Sequence, residues 1–151
     1  MKICQLVAAL VLTIVLSQGG NAVDNQFATT ADNTVLIDRE TGLMWPMQDN
    51  GTDISWPAAK DYCENVSLGG YQDWRMPTRE ELATLYNLEA ANSSEYYIHQ
   101  QVRITAGSQW AIDTSDQRVG RYDFEYANKD WGYPMSSVDA RVLPVRNNIN
   151  K

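Results

Sequence analysis

The chain reads GGYQDWRMPTREEL from Gly69 to Leu82, and this run predicts a turn, a core anchor and a helix start in sequence. Two adjacent glycines can adopt positive backbone dihedrals that a Cβ would forbid, so the chain can reverse direction there. Trp74 follows the turn as a large aromatic side chain and is expected in the core. The rest of the chain is expected to pack around this anchor.

The residues after Trp74 predict a helix N-terminus. Pro77 disfavours helical dihedrals in the residue before it. Thr78 and Glu81 have the spacing of a capping box, in which each side chain accepts from the other's backbone amide. We expect a helix from about Thr78 to Leu88, because apolar residues follow at helical spacing, namely Leu82, Leu85 and Tyr86. Four side chains of this run are predicted structural anchors, and Trp45, earlier in the chain, is a fifth. The four are Trp74, Arg75, Thr78 and Glu81.

Four motifs together resemble a known domain family. Besides the run above, they are TGLMW from Thr41, WPAAKDYC from Trp56 and RVLPVR from Arg141. Their order and spacing are similar to the family named after the C-terminal domain of the bacterial collagen-like adhesin Lcl. The segment DWRMPTREEL is also similar to part of the sulfatase-modifying, formylglycine-generating enzymes. Both resemblances imply an α+β, C-type-lectin-like fold, with two helices packed on a small, mainly antiparallel, irregular β-sheet with long loops.

The N-terminal segment, residues 1–22, has the layout of a cleaved export signal. It combines a basic start at Lys2, an apolar run from Leu6 to Leu16, and small residues at Gly20-Asn21-Ala22. The apolar run falls short of the ~20 residues that span a bilayer, so we expect no membrane insertion after cleavage. Removal of this segment leaves residues 23–151, which are 129 of the 151 residues and one domain by length.

The predicted mature chain is acidic. It holds 11 Lys and Arg against 19 Asp and Glu, for a formal charge near −8, because the signal removes only Lys2. Nucleic acid and anionic lipid surfaces both require a basic footprint, so neither is an expected partner. Cys63 is then the only cysteine, which excludes an intramolecular disulfide in a periplasmic or extracellular protein. We expect it to be a buried, inert thiol.

Patterning predicts the remaining elements. A loose arm is expected over Asp24–Ala31, and an Asx-rich turn, rather than a calcium loop, over Asp49–Asp53. Ser55 is expected to cap the first helix. Short strands are predicted at four places, namely Val35–Asp38, Leu43–Trp45, Gln109–Asp113 and the alternating Arg121–Tyr126, with a closing strand at Ala140–Arg146. Two connections complete the prediction: a turn at Asp116–Gly120 and a loop at Asn128–Pro134.

Charged residues around Trp74 are expected to have structural roles. Asp73 and Arg75 lie on either side of this tryptophan, and we expect a buried ion pair there that orients the turn. Arg141 and Arg146 are expected to act in a similar way.

The inventory of chemical groups argues against catalysis. The chain has one histidine, His99, and one cysteine after signal cleavage, whereas zinc and iron sites of the His/Cys type need three or four such ligands. The resemblance implies copper-binding cysteine pairs in formylglycine-generating enzymes and several histidines in iron oxygenases of the ergothioneine type, and this chain supplies neither. We therefore predict no cofactor, no metal and no catalytic residue. A divergent hydrolase using His99 is the enzymatic alternative.

Aromatic residues are the predicted ligand contacts. Trp131 and Tyr133 flank Gly132 in a polar stretch, where they either contact a ligand or pack beneath the loop. Tyr122 and Tyr126 share one face of the alternating strand and are further candidates. Trp45, Trp56, Trp74 and Trp110 stand in apolar or motif contexts and are assigned to the core.

The sequence therefore predicts an exported, non-catalytic binding or adhesion module, with no particular oligomeric state. The resemblance implies a polysaccharide or glycosaminoglycan ligand, but the acidic charge disfavours sulfated sugars. A neutral sugar or an envelope protein fits the charge better. The alternative from a different class is a structural subunit of a cell-envelope or appendage assembly, which would present a large exposed apolar patch.

Overall fold

The computed structural model describes residues 26–92, 96–113, 118–125, 128–130 and 140–149, and they form an α+β fold. The predicted signal segment, residues 1–22, lies outside this part of the chain. The helices are α1 (Trp56–Asn65) and α2 (Arg79–Ala83), and a short 3-10 helix covers Leu88–Asn92. The strands are β1 (Phe27–Thr29), β2 (Val35–Asp38), β3 (Leu43–Pro46), β4 (Ser108–Ile112), β5 (Val119–Asp123), β6 (Asn128–Asp130) and β7 (Arg146–Asn147).

The first sheet is antiparallel throughout, with strand order β1-β2-β3-β7. Leu36 of β2 is paired with Trp45 of β3, and both side chains are fully buried. The predicted loose arm is wrong over β1. Its residues pair with β2, and the Phe27 ring lies 4.0 Å from the His99 ring. Backbone pairing with the next strand and one distant ring contact therefore order a segment that has no periodicity of its own.

The second sheet is also antiparallel, with strand order β4-β5-β6. β5 begins at Val119, so the predicted turn at Asp116–Gly120 is wrong at its C-terminal end, and residues 114–117 lie outside the described part. The predicted loop at Asn128–Pro134 is wrong at its start, because Asn128–Asp130 pair with β5 as a strand. Pairing of backbone groups needs no apolar alternation in the added strand, which is why the pattern missed it.

The helix after Thr78 begins as predicted but is shorter. The capping box is present: Glu81 N donates to Thr78 Oγ1 at 3.2 Å, and Thr78 N donates to Glu81 Oε2 at 2.8 Å. The helix ends at Ala83. The Thr84 hydroxyl donates a hydrogen bond to the Glu81 carbonyl, and the Leu85 carbonyl accepts from His99 N instead of from a helical amide. The first helix starts after Ser55, whose side chain makes no capping hydrogen bond.

The turn between the two helices has the geometry of a two-residue hairpin. Gly69 and Gly70 have φ values of +58° and +79°, and Leu68 and Tyr71 exchange both backbone hydrogen bonds. Trp74 folds back on this turn, since its Nε1 donates to the carbonyls of Leu68 and Tyr71 at 3.3 and 3.2 Å. The indole is 3% exposed and packs with buried Val35 and Met44. The predicted core anchor therefore also closes the turn.

The segment from Ala140 joins the two sheets. Arg141 bridges to Gln109 of β4, Val145 bridges to Arg75, and only Arg146 and Asn147 form a regular strand, β7, against β3. The predicted closing strand at Ala140–Arg146 is therefore mostly a series of single bridges. Because this segment contacts β4, Arg75 and β3 in turn, its backbone hydrogen bonds do not form one continuous ladder with a single strand.

The charged residues around Trp74 do not pair as predicted. Asp73 pairs with Arg146, whose Nε lies 2.7 Å from Asp73 Oδ1, and Arg75 pairs with Glu81 at 2.6 Å. The predicted Asp73–Arg75 ion pair is wrong. The two residues would share a side of an extended backbone, but each already meets an opposite charge that another element holds in place. Both ion pairs tie the central segment to other elements, one to β7 and one to α2.

Substitution of Gly69 should separate backbone strain from steric overlap. A Cβ at Gly69 would lie 2.4 Å from Val35 Cγ2 and 2.9 Å from Thr34 Oγ1, whereas a Cβ at Gly70 meets nothing within 4 Å. Both positions have positive φ, which costs an L-residue about 1–2 kcal/mol. We expect Gly70→Ala to lose about that much stability, and Gly69→Ala to lose roughly 1–3 kcal/mol more from overpacking. Urea unfolding followed by tryptophan fluorescence measures both, and equal losses would contradict the close approach of Gly69 to β2.

Glu81 should make stability depend on acid pH. Burial alone would raise the pKa of its carboxyl, but hydrogen bonds from Arg75 and the Thr78 amide, with the Arg75 charge, outweigh it and lower the pKa below the ordinary 4.5. The stabilisation is therefore complete above the unfolded-state pKa and is lost as the pH falls through the folded-state pKa. We expect Glu81→Gln to cost about 1 kcal/mol at neutral pH and much less at about pH 3.

The matched control for this experiment is Glu80→Gln. Glu80 lies in the same first turn of α2 but pairs with Arg79 at a more exposed position. Urea unfolding of wild type and both variants at the two pH values should show a pH-dependent difference for Glu81→Gln only. Equal pH dependence of the two variants would contradict the role assigned to Glu81.

Candidate functional site

Three of the four aromatic residues predicted as ligand contacts, Tyr126, Trp131 and Tyr133, lie outside the described residues. Tyr122 is described, and it lies in the core with 3% of its surface exposed and its ring 4.8 Å from that of Phe124. Burial raises the pKa of its hydroxyl, with a further contribution from Tyr86. Assigning Tyr122 to a ligand surface is therefore corrected, because the aromatic face of β5 turns towards the core.

His99 lies in the turn before Val102. Its ring is in tilted contact with Phe27, and its Nδ1 accepts from the Gln101 backbone amide at 3.4 Å. In a Ser-His-Asp triad, Nδ1 carries the proton and donates it to the acid. The tautomer that this contact favours is the opposite one. An acid partner for His99 in such a triad would have to replace the Gln101 amide at Nδ1.

Cys63 lies on the inner face of α1, packed with Ala59, Met76 and Trp110. Burial raises the pKa of its thiol to about 12, and the neighbouring Glu64 adds to the effect. A thiol at that pKa is protonated at physiological pH and is a poor nucleophile. Cys63 therefore acts as a small apolar side chain in this hydrophobic cluster.

A concave surface with polar walls lies between the start of β2, the end of β3, α1 and the Gly69 turn. Its volume is about 470 Å³. Six of its lining residues carry amide or hydroxyl groups, so we call it the amide groove; they are Asn33, Thr34, Gln48, Asn50, Tyr62 and Ser67. Pro46, Met47, Asp49, Leu68 and Gly69 complete the lining. The lining therefore offers hydrogen-bond donors and acceptors as well as apolar surface.

Asp49 holds one wall of the amide groove in place. Its carboxylate is 6% exposed and accepts from Thr105 N at 2.6 Å, from Thr105 Oγ1 at 2.9 Å and from Gly51 N at 2.9 Å. Asp49 N in turn donates to the Arg103 carbonyl. The bond to Gly51 N is the Asx turn that the sequence predicts. A carboxylate surrounded by N–H and O–H donors is committed to the fold rather than to a cation.

Asn50 fixes the adjacent stretch of the wall. Its Oδ1 accepts from Val142 N at 2.8 Å, and its Nδ2 donates to the Thr52 carbonyl at 2.6 Å. Both polar ends of this side chain are therefore occupied. By contrast, Gln48 and Ser67 are exposed, and their side chains make no hydrogen bond within the part of the chain that the structure describes. These two side chains are therefore available to a ligand.

Tyr62 supplies an aromatic surface beside these polar groups. It projects from α1 and is partly buried, so it presents part of its ring to the groove. Burial raises the pKa of its hydroxyl, as do the neighbouring Cys63 and Asp49. The hydroxyl is therefore neutral at physiological pH and can both donate and accept.

A second concavity, also of about 470 Å³, lies on the other side of the Gly69–Gly70 turn. We call it the Tyr71 shelf; its lining is Gly70, Tyr71, Gln72, Asp73, Arg146 and Ile149. The Arg146 guanidinium lies 3.9 Å from the Tyr71 ring centroid and pairs with Asp73, whose pKa it lowers. The shelf therefore has a fixed aromatic ring and a fixed carboxylate.

Sequence reasoning missed the amide groove. Its walls come from four separated stretches, at residues 33–34, 46–50, 62 and 67–69. The Asx-rich turn beginning at Asp49 was the available signal, because it concentrates amide and carboxylate groups, but its neighbours become visible only in the folded chain.

Two further properties bear on function. None of the helices in the described ranges is long and apolar enough to cross a bilayer. Among the same residues, no group of three or more His, Cys, Asp and Glu side chains is placed to hold a metal ion.

Comparison with known proteins gives one match. The family model of the Lcl C-terminal domain matches residues 34–146, which include both concavities except for Asn33 and Ile149. No curated protein and no solved structure matches the chain. The C-type-lectin-like assignment therefore stays a prediction beyond the α+β fold.

The burial of Cys63 predicts slow alkylation in the folded protein. With a pKa of about 12, roughly 10⁻⁴ of the thiol is ionised at pH 8. We expect iodoacetamide to leave Cys63 largely unmodified in the native state and to modify it readily in urea. Mass spectrometry of the peptide that contains Cys63 measures both, so that Cys4 does not interfere. Similar rates in the two states would contradict the buried position.

Proposed function

The chain belongs to the Lcl C-terminal domain family, and on this premise we propose that it is an exported, non-catalytic binding module that takes a neutral carbohydrate in its amide groove. The observation that carries this proposal is the groove itself. Amide and hydroxyl groups line a concavity that also presents the Tyr62 ring. Sugars offer hydroxyl groups to polar side chains and apolar ring faces to aromatic ones, and this lining matches both.

Charge supports a neutral ligand. The chain has a formal charge of −7, and its acidic field disfavours sulfated or uronic acid-rich polymers. The one charged residue in the lining of the amide groove is Asp49, whose carboxylate is buried and hydrogen-bonded to protein donors. An anionic sugar in the groove would therefore meet a nearby negative charge with no lining cation to offset it.

The chemistry of the described residues supports a role without catalysis. Cys63 is buried with a raised pKa, and the Nδ1 of His99 accepts from a backbone amide. General base or nucleophilic catalysis needs an accessible group with a pKa near the working pH. Neither residue lines the amide groove. Recognition therefore accounts for the groove better than turnover does.

A periplasmic or extracellular location completes the proposal. It follows from the export signal predicted at residues 1–22. Binding of a polysaccharide would make the module an adhesion or retention device at the cell surface.

The proposal predicts that a bulky side chain in the groove abolishes glycan binding. Ser67 is exposed at the rim and makes no hydrogen bond through its side chain within the described residues, so Ser67→Trp should fill the groove without disturbing the core. We expect wild type to bind neutral glycans on a broad array, and Ser67→Trp to lose at least about tenfold in affinity, or roughly 1.4 kcal/mol.

The matched control is Gln101→Trp, because Gln101 is also exposed but lies outside both concavities. Circular dichroism would establish that both variants fold. Retained binding by folded Ser67→Trp would place the site elsewhere and contradict the proposal. Failure of wild type to bind any glycan at any salt concentration would also overturn it, and would favour the envelope-subunit alternative.

A further inference from the structure

The amide groove and the Tyr71 shelf meet at one turn. Gly69 is a lining residue of the groove, and the next residue, Gly70, is a lining residue of the shelf. The groove is partly enclosed, whereas the shelf is an open surface. The two surfaces are therefore contiguous along the backbone at this turn.

The turn leaves space for a ligand to cross. Gly70 has no side chain, and a Cβ built there would meet no atom within 4 Å, so the space above it is open. Gly69 is different, because a Cβ there would meet the buried Val35 side chain and the Thr34 hydroxyl. The first glycine is thus required by packing, whereas the second keeps a low ridge between the two concavities.

The shelf carries the same kinds of group as the groove. Tyr71 provides a ring, one face of which is covered by the Arg146 guanidinium, and the exposed Gln72 provides an amide. The Asp73 carboxylate is about half exposed, and Arg146, which is 3% exposed, fixes its position. Each concavity therefore combines one tyrosine with side chains that bond hydroxyl groups. Arg146 is neutralised by Asp73 and does not convert the shelf into an anion site.

We propose that the ligand is a linear, neutral polysaccharide segment that crosses the Gly69–Gly70 turn and occupies both concavities at once. This inference rests on the proposed function and adds a second subsite, so that consecutive parts of one polymer occupy the groove and the shelf. A terminal or branched sugar would need only one concavity. Two weak subsites on one rigid turn bind a continuous polymer more tightly than either binds a short fragment.

The test is the dependence of affinity on ligand length. The probes are cello-, malto- and N-acetylchito-oligosaccharides, each from disaccharide to hexasaccharide, titrated calorimetrically against the full chain. We expect one series to bind, with the hexasaccharide at least about tenfold tighter than the disaccharide. Gln72→Trp, which fills the shelf, should reduce hexasaccharide affinity to the disaccharide level and leave disaccharide binding unchanged. Gln72→Ala should weaken only the longer ligands, and Gln101→Trp should change neither.

Failure of the inference is distinguishable from failure of the proposed function. If an array identifies a glycan whose binding Ser67→Trp abolishes, but affinity does not rise with length or Gln72→Trp has no effect on the hexasaccharide, only the second subsite is overturned. If no oligosaccharide series and no array glycan binds wild type, both are overturned.

Discussion

Arg75 is the residue on which the rest of the structure depends. Its backbone N and O bond to Val145 at 2.8 and 2.9 Å, and its guanidinium binds the Glu81 carboxylate through two hydrogen bonds. The first contact ties the central segment to the C-terminal segment that joins the two sheets. The second holds the same carboxylate that caps α2. One arginine therefore connects the turn, α2 and the segment that joins the two sheets. Its ion pair with Glu81 stabilises the fold more through two aligned hydrogen bonds than through charge attraction alone.

This connection also positions the two concavities. The Gly69–Gly70 turn is closed by the Trp74 indole on one side and approached by β2 on the other, so its backbone cannot shift independently of the core. Arg146 of β7 is a second arginine that fixes this segment. It pairs with Asp73 and lies over the Tyr71 ring at the surface. The shape of both concavities is therefore set by core packing, so they are formed before any ligand is present.

Much of the framework was predictable because it rests on local chemistry. Adjacent glycines, a proline before a threonine, and a glutamate three residues later specify a turn and a capped helix without reference to the rest of the chain. The strands β1 and β6 were missed because backbone pairing with the neighbouring strands β2 and β5 creates them, and that pairing leaves no apolar pattern in their own sequence. The same limit applies to the amide groove, which assembles stretches as far apart as Asn33 and Ser67. For Tyr122, alternation revealed which residues share a face, but only packing decides that this face is the inner one.

The late position of β7 has a consequence for the order of folding. Met44 of β3 pairs with Arg146, and Arg75 pairs with Val145, so contacts that complete the first sheet span about half or more of the chain. Such contacts form only after the intervening residues have been synthesised, and long-range pairing of this kind slows folding. An emerging chain therefore stays incomplete until its last segment is available.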